Sequence, residues 1–365
     1  MNKLKKIGIS ALAGTLVSLS AAQAGGVSVS GNMELSYVNL NHEKVTGNKL
    51  GMNKNLSFGS SGDVTDGGGV TWTSTVVMGD TANLSSASMS LNMGGIATLA
   101  YDSGTGGYGA NAVDNIVPTA WEEIDYGLST GIVDVGAVSK SKGVINLTIK
   151  APVAGTGISL SYVSRVGGDH IADGGNDAAA TGGRGLDAVI DLVNYSSAHF
   201  GARLGFADQT ELKEVTCAGL ENAAKDDEAA CSSGFKDNPY AGTAYTTLAL
   251  GPIHMGVQAT FNDPQEAAST GMANRRSIVA GAAFVVGDTL SISYGRAWQK
   301  NKLNNLMSGT ADRREWQDIN YRGWSAAINL GPVALKATRN GVDGFGENGS
   351  SSPKKHSEIN LSMAF

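Results

Sequence analysis

The last ten residues of the chain, "HSEINLSMAF" (356–365), alternate between apolar and polar side chains. At a period of two, one face carries Ile359, Leu361, Met363 and Phe365, and the other carries the polar or small residues between them. This alternation predicts a β-strand with one apolar and one polar side. Such a strand needs neighbours, and its apolar side needs either a protein core or lipid. Which of the two it faces decides the class of protein.

The N-terminus has the features of a secretory signal peptide. The stretch "MNKLKKIGISALAGTLVSLSAAQA" (1–24) places three lysines before an apolar run and ends in small residues. The pattern predicts cleavage after Ala24 and a mature barrel domain of residues 25–365. An uncleaved anchor helix is the alternative, but the apolar run (7–19) is shorter than the roughly 20 residues that span a bilayer. We therefore expect an exported protein.

Composition and charge limit the possible partners. Removing residues 1–24 takes away three lysines and no acid, so 27 basic and 33 acidic residues become 24 and 33, a net charge of −9. This acidic balance argues against nucleic acid as a partner. Glycine contributes 50 of 365 residues, and each glycine inside a helix costs about 1 kcal/mol. The composition therefore disfavours a helical protein.

Cys217 and Cys231 are the only cysteines of the chain. Export to an oxidising compartment predicts a disulfide between them. The bridge would close a loop of 15 residues and stabilise the protein by about 3 kcal/mol in the chain-entropy model. No histidine lies near the pair in the sequence, which argues against a metal site there.

Segments with the same alternation recur along the whole mature chain. Sixteen strands are predicted, at 27–38, 54–61, 69–78, 86–93, 96–101, 144–151, 157–165, 185–195, 200–208, 240–250, 254–261, 277–286, 289–298, 321–330, 333–340 and 356–365. Pairs of them are joined by residues such as Gly287-Asp288 and Gly331-Pro332, which are typical of tight hairpin turns. An even number suits a membrane barrel whose two chain ends lie on the same side.

The connections between the predicted strands alternate between short and long. Every second connection is short, and those between them are mostly long and polar: 39–53, 102–143, 166–184, 209–239, 262–276, 299–320 and 341–355. Short turns at one rim and long loops at the other are typical of outer-membrane barrels. A soluble β-sandwich, the alternative, has no reason to separate its loops in this way. The sequence thus predicts an all-β fold, a 16-stranded antiparallel transmembrane β-barrel.

The two faces of the predicted strands support the same conclusion. In one strand, Ile158, Leu160 and Tyr162 alternate with Ser159 and Ser161. In other predicted strands, several charged residues also lie at the positions of the polar face. A polar interior beneath an apolar exterior is the reverse of a soluble core, and it requires a water-filled lumen.

Together these features resemble the general diffusion porins of Gram-negative bacteria, in particular the alphaproteobacterial type. The resemblance rests on the signal peptide, the first strand "GGVSVSGNMELSYV" (25–38), the sixteen strands, the long segment 102–143 and the terminal Phe365. It implies a homotrimer in the outer membrane, in contact with membrane lipid and lipopolysaccharide. It also implies that segment 102–143 folds inward to constrict a channel for small hydrophilic solutes, and that the barrel assembly machinery reads Phe365 as an assembly signal.

The resemblance further implies that acidic residues of the inward segment face basic residues of the barrel wall. The acidic candidates are Asp102, Asp114, Glu122, Glu123 and Asp125. On the wall, lumen parity selects the bases Lys150, Arg165, Arg203 and Lys336 and the acids Glu34, Asp187, Asp191 and Glu358. Alternatively, these cations pair with neighbouring acids or bind lipopolysaccharide-like phosphates near the rim.

The predicted strands between 54 and 93 carry inward hydroxyl side chains where many porins have an arginine cluster. This departure argues against a strong transverse field of the usual orientation. With five acids in the inward segment, we expect a weak preference for cations.

Two other motifs lack the context that they need. The stretch "GTGGYG" (104–109) matches a dinucleotide-binding pattern, but no amphipathic helix follows it and no parallel β-α-β unit is predicted. Asp169, Asp173 and Asp177 could bind Ca²⁺ in an outward loop, although their spacing does not fit the calcium-loop consensus. The sequence predicts no other metal and no cofactor.

Three functions are alternatives to a general channel. A substrate-specific porin would carry a solute-binding site in its constriction. A barrel hydrolase would need a nucleophile poised by His254 or His356, and no histidine lies in a recognisable nucleophile motif. An adhesin or phage receptor would use the long loops. The sequence therefore favours a channel over an enzyme.

Overall fold

The computed structural model describes residues 26–39, 48–64, 69–80, 84–104, 107–128, 131–133, 135, 143–150, 155–164, 166, 183–197, 199–212, 238–265, 272–303, 316–344 and 354–365. Several predictions lie outside these residues: the signal peptide (1–24), Arg165, the disulfide of Cys217 and Cys231, and the calcium ligands Asp169, Asp173 and Asp177. No helix in the described ranges is long and apolar enough to cross a membrane.

The described chain forms sixteen strands and a short 3₁₀ helix at Gly109–Val113. The strands are β1 (Val27–Asn39), β2 (Leu50–Asp63), β3 (Val70–Met78), β4 (Leu84–Met93), β5 (Ala97–Asp102), β6 (Val144–Lys150), β7 (Gly157–Val163), β8 (Arg184–Ser196), β9 (Phe200–Leu212), β10 (Tyr240–Leu250), β11 (Ile253–Asp263), β12 (Met272–Val286), β13 (Leu290–Leu303), β14 (Gln317–Leu330), β15 (Val333–Gly344) and β16 (Lys354–Ala364). Each strand pairs with its neighbours in sequence, and β1 pairs with β16. The predicted 16-stranded antiparallel barrel is confirmed.

The two ends of the chain close the barrel. Strands β1 and β16 pair in an unbroken register from Asn32 opposite Ala364 to Asn39 opposite Ser357. At the end of this seam, the Gly31 amide donates to the Phe365 carbonyl (2.9 Å) and the Phe365 amide donates to the Gly31 carbonyl (3.0 Å). The barrel is therefore closed, and each described strand pairs with a neighbour on both sides.

Several strands extend further toward the long loops than the alternation predicted. Strand β9 continues to Leu212 rather than 208, and β13 continues to Leu303 rather than 298. Strand β12 begins at Met272 rather than 277. The added residues are mostly polar on both sides of the wall. Alternation reveals a strand only where its two faces meet different media, so it does not mark these ends.

The faces of the wall have the predicted polarity. Outward side chains such as Leu160, Phe206 and Ile292 are 42–47% exposed. Inward side chains such as Ser161 and Gln258 are buried and polar. Because a continuous apolar outer surface is unstable in water, the barrel is of the membrane-spanning kind.

Gly31 provides a test of the closing seam. A Cβ at this position would lie 2.7 Å from Phe365 Cζ and 2.8 Å from the Asn55 carbonyl oxygen. We expect Gly31→Val to loosen the seam and lower the temperature at which the folded band converts to the unfolded band on a gel. Gly51→Val is the matched control, because nothing lies within 4 Å of a Cβ there. Equal effects of the two substitutions would contradict this account of the seam.

Candidate pore constriction

The segment between β5 and β6, residues 103–143, is hereafter called the inner loop. Its described residues, 103–104, 107–128, 131–133, 135 and 143, fold into the barrel. The two ends of the loop meet at a hydrogen bond, in which the Gly143 amide donates to the Asp102 carbonyl (2.9 Å). Its outgoing part bonds Ser293 of β13 through the Ala120 amide (2.9 Å), and its returning part bonds Gln299 of the same strand through the Val133 amide (2.8 Å). The loop therefore lies in two tiers against the inner wall, the returning tier nearer the long-loop rim.

Two apolar clusters hold the inner loop against a wall that is mostly polar elsewhere. The first joins the 3₁₀ helix to strands β8–β10 and consists of Ala110, Val113, Val135, Val189, Ala207, Ala241 and Tyr245. The second joins the loop to strands β13–β15 and consists of Ile124, Leu128, Ala297, Ile319, Tyr321 and Val342. All of these side chains are buried. The interior thus contains small regions packed like a soluble core, confined to the area that the loop covers.

Between the two clusters, four glycines on neighbouring strands lie side by side on the inner wall. Gly256 pairs with Gly281, Gly281 with Gly295 and Gly295 with Gly323, across β11–β14. A Cβ on Gly256 would lie 2.6 Å from Pro118 Cδ, one on Gly281 2.9 Å from Val117 Cγ1, and one on Gly295 2.9 Å from Ile124 Cγ2. This glycine row therefore forms the floor on which residues 117–124 rest, with no room for a larger side chain.

Polar side chains of the wall satisfy the irregular backbone of the inner loop. Gln258 Nε2 donates to the Val113 carbonyl (2.9 Å), and Asn340 Nδ2 donates to the carbonyls of Glu123 (2.8 Å) and Tyr126 (3.0 Å). Ser325 Oγ accepts from the Trp121 amide (3.1 Å). A loop buried inside a protein needs such partners for its peptide groups, so these inward polar residues position the loop.

A cavity of about 640 Å³ follows the inner loop. Its lining includes five carboxylate residues: Asp114, Glu122, Glu123, Asp125 and Glu358. Among the described residues, no lysine or arginine belongs to this lining. The opposite wall, strands β2–β4, carries partly exposed inward hydroxyl groups such as those of Thr73 and Ser90, 2.7 Å apart. The lumen is therefore acidic along the loop and neutral across from it.

Four of the five predicted loop acids lie along this cavity. Asp114 is largely buried, and Asp125 Oδ2 accepts a hydrogen bond from the Ile132 amide (2.7 Å), which joins the two tiers of the loop. The fifth, Asp102, lies at the base of the loop, where Oδ1 accepts from the Gly104 amide (2.7 Å). Asp102 therefore shapes the start of the loop and is separate from the cavity lining.

The predicted basic residues of the wall are spread out, and two are held by acids. Arg203 forms a two-point contact with Asp191, with Nε to Oδ1 at 2.8 Å and Nη2 to Oδ2 at 3.1 Å. Lys336 is buried, and its Nζ lies 3.2 Å from Glu34 Oε1 and 5.5 Å from the centre of the Trp121 ring. Lys150 ends β6 at the short-turn rim, where its side chain is exposed.

Glu122 lies in a strongly perturbed environment within the described part of the inner loop. Burial, reinforced by the nearby carboxylates Glu358, Glu34 and Asp125, raises the pKa of the Glu122 carboxyl to about 7 against the opposing charge of Lys336. His356 lies in the same region and contacts Glu358 (3.2 Å) and the Tyr126 ring. The negative charge of this part of the cavity therefore changes within the neutral pH range.

Sequence reasoning missed the glycine row and the inward apolar residues of the two clusters. Each of these residues is an exception to the alternation, because a glycine or an apolar residue occupies an inward position where a polar residue is expected. The tight turn at Gly287-Asp288 aligns Gly281 with Gly295. Gly256 and Gly323 lie on strands that long connections join to this hairpin, so the turns alone do not reveal the whole row. Alternation alone does not distinguish wall that faces water from wall that faces the inner loop.

Comparison with known structures places the fold. OmpF of Salmonella typhi, solved with daunomycin, matches with a TM-score of 0.59 at 10% identity, covering 93% of this chain and 97% of OmpF. The trimer form of OmpT, an outer membrane protein of Vibrio cholerae, matches at 0.58 and 10% identity, covering 94% and 100%. The outer membrane channel DcaP of Acinetobacter baumannii matches at 0.52 and 12%, covering 93% and 97%. No family model and no curated protein matches the chain. The chain therefore has the 16-stranded barrel fold of porins over nearly its whole length.

Gly295 tests the packing of the inner loop on the glycine row. We expect Gly295→Val to push Ile124 and its neighbours into the lumen and to reduce single-channel conductance. Overpacking of this kind also costs roughly 1–3 kcal/mol, so the thermal unfolding midpoint should fall. Gly242→Val on β10 is the matched control, because a Cβ there would lie 3.5 Å from its nearest neighbour. Unchanged conductance in the Gly295→Val protein would contradict the proposed packing.

Proposed function

We propose that the protein is an outer-membrane porin: a water-filled channel for passive diffusion of small hydrophilic solutes and ions, with a weak preference for cations. The observation that carries this proposal is a cavity beside an inward loop, lined by five carboxylates and, within the described chain, by no lysine or arginine. Fixed charge of one sign at the narrowest part of a channel favours ions of the opposite sign.

Passive diffusion is supported by the uneven coverage of the inner wall. Inward side chains of β11–β16, beneath the inner loop, are mostly buried, as for Ser277, Gln299 and Ser325. Inward side chains of β2–β4 are partly exposed. The loop thus occupies one side of the lumen and leaves a hydroxyl-lined side that water can fill.

The preference for cations depends on which charges are already neutralised. Arg203 is compensated by Asp191, and Lys336 by Glu34. These cations therefore contribute little field to the cavity, whereas Glu122, Glu123 and Asp125, which line it, are partly exposed. The proposed selectivity is weak because the opposing hydroxyl wall carries no charge that would add to the field.

Catalysis is not part of this proposal. Of the two lumen histidines, His356 contacts Glu358 and the Tyr126 ring and belongs to the acidic end of the cavity. His254 is a buried wall residue on β11. Neither arrangement supports the serine activation that a barrel hydrolase would need.

We also propose a homotrimer that packs through strands β4–β7. Strands β5, β6 and β7 contain 6, 7 and 7 residues, whereas a transmembrane strand needs about 9–11 to cross the hydrocarbon. A neighbouring copy would cover this low sector of the wall. The trimer form of the OmpT structure offers a parallel at the level of fold.

Phe365 is proposed as the residue that the barrel assembly machinery recognises. Phe365 is 66% exposed on the outer surface, and its ring lies against Gly31 at the closing seam. A free aromatic side chain at the last strand is therefore accessible before and during closure. Outer-membrane lipid and lipopolysaccharide are the surrounding partners in this proposal.

Planar-bilayer recording tests the channel directly. We expect ohmic single-channel steps and, in a tenfold KCl gradient, a reversal potential of the sign that indicates cation preference. A chain that inserts into bilayers without carrying ions would overturn the proposed function. A reversal potential of the opposite sign would overturn the selectivity alone.

The raised pKa of Glu122, about 7, gives this selectivity a pH dependence. As the pH falls from 8 to 6, Glu122 takes up a proton and the cavity loses one negative charge, so cation preference should decrease. Glu122→Gln should remove most of this change and resemble the wild-type protein at pH 6. Glu123→Gln is the matched control, since it removes a neighbouring carboxylate and should leave the pH response in place. An unaltered pH response in Glu122→Gln would contradict this assignment.

Cross-linking tests the proposed trimer surface. Met89 on β4 is 62% exposed and Ile278 on β12 is 51% exposed, on different sectors of the outer wall. In a background with Cys217→Ser and Cys231→Ser, a short bismaleimide should link Met89→Cys subunits into covalent dimers. The same reagent should give no covalent dimer with Ile278→Cys. Equal cross-linking at both positions, or cross-linking only at Ile278→Cys, would refute the proposed surface.

A further inference from the structure

The outer surface of strands β12–β16 carries an excess of positive charge near the long-loop rim. Strand register places seven cations outward there: Arg276, Arg296, Lys300, Lys302, Arg322, Arg339 and Lys355. The described outward carboxylates of the same strands are Asp318 and Asp343. In the adjoining sector β9–β11, the outward charges toward the same rim are Asp208 on β9 and Asp263 on β11. The positive charge is therefore local to one sector.

Three of these cations surround a small cleft, hereafter the basic cleft. Arg322, Gly341 and Lys355 are direct neighbours across β14, β15 and β16, and Arg339 lies two residues from Gly341 on β15. The cleft has a volume of about 260 Å³, and its lining includes Tyr294 and Trp324. A Cβ on Gly341 would lie 3.8 Å from Lys355 Cγ and 4.0 Å from Arg322 Nε. The missing side chain at Gly341 thus leaves an opening between the two cations.

The charges of the basic cleft are only partly compensated. Arg322 Nη2 lies 3.2 Å from Asp343 Oδ2. In the part of the chain that the structure describes, no carboxylate lies within 4 Å of Arg339 or Lys355, and both side chains are exposed. Arg339 and Lys355 are therefore uncompensated within the described chain, and they lie beside Arg322, which is paired with Asp343. Such a group of cations favours an anion with several acceptor oxygens.

The position of the cleft selects the source of that anion. A tilted strand climbs about 2.5 Å per residue, which places Arg339 about 15 Å above Val333 and Lys355 about 25 Å above Phe365. The apolar band of such barrels is about 25 Å tall, and long basic side chains extend from its upper part to the headgroups. Trp324 lies directly opposite Arg339 in the register, as expected for the aromatic girdle of a membrane barrel. The anion therefore belongs to a lipid of the outward leaflet rather than to the solution.

We propose that the basic cleft binds the phosphorylated headgroup of an outer-leaflet lipid. Arg339 and Lys355 hold the phosphate oxygens, Arg322 contributes while remaining paired with Asp343, and Tyr294 and Trp324 contact the apolar part below the headgroup. This binding is separate from the channel, because all five side chains point away from the lumen. It rests on the membrane placement of the barrel and on no property of the inner loop.

The test uses the full-length mature protein in a neutral detergent, with diphosphoryl lipid A as probe and native mass spectrometry as readout. The double variant Arg339→Gln with Lys355→Gln should weaken binding by about tenfold or more. The matched control is Arg276→Gln with Lys300→Gln, which removes the same charge from the same surface outside the cleft and should change binding by less than about threefold. Equal loss in both double variants would overturn the proposal in favour of general electrostatic attraction.

Two further arms complete the test. Dephosphorylated lipid A should bind weakly to every variant, and inorganic phosphate should not displace the lipid; displacement would mean that the cleft binds free phosphate instead. Gly341→Val fills the cleft without removing charge and should weaken lipid binding to a similar degree as the double variant. Conductance should stay unchanged in all variants, which verifies folding and separates failure of this site from failure of the channel. Retained tight binding in both cleft variants would refute the site.

Discussion

The structure depends on one constraint: every backbone amide and carbonyl of the wall must find a partner within the sheet, because hydrocarbon offers none. Closure of β1 on β16 meets that constraint, and the mutual hydrogen bonds of Gly31 and Phe365 complete it at the last residue. Once the ring is closed, each side chain has only two directions, outward to lipid or inward to the lumen. The alternating sequence, the tight turns and the apolar belt all follow from this geometry.

The inner loop poses the opposite problem, since it brings irregular backbone into the interior. The wall solves it by local departures from its polar inner face. One apolar cluster anchors loop residues 110–113 and 135, and the other anchors residues 124–128. The glycine row provides a flat floor, and Gln258 and Asn340 bond the loop carbonyls. The lumen is therefore divided into a packed half, which has the character of a soluble core, and an open half lined by hydroxyl groups.

Charge is distributed in a comparably uneven way. Inside, the basic residues Arg203 and Lys336 are neutralised by wall acids, so the carboxylates of the loop dominate the cavity. Outside, cations accumulate in one sector near the long-loop rim while a neighbouring sector carries acids. One wall thus presents separate electrostatic surfaces to solutes and to lipid, because alternation assigns neighbouring residues to different media.

The sequence by itself determined the barrel, its strand number, the short and long rims and the polarity of each face, because period-two alternation directly records which medium each residue meets. Even Arg203 and Lys336 were assigned correctly to the inner face. Only the tertiary structure decided that each of these cations is held by an acid, that Asp102 lies apart from the cavity, and that Gly256, Gly281, Gly295 and Gly323 form one row. These are relations between strands far apart in sequence, set by register and by the path of the inner loop. Alternation within a single strand contains no information about either.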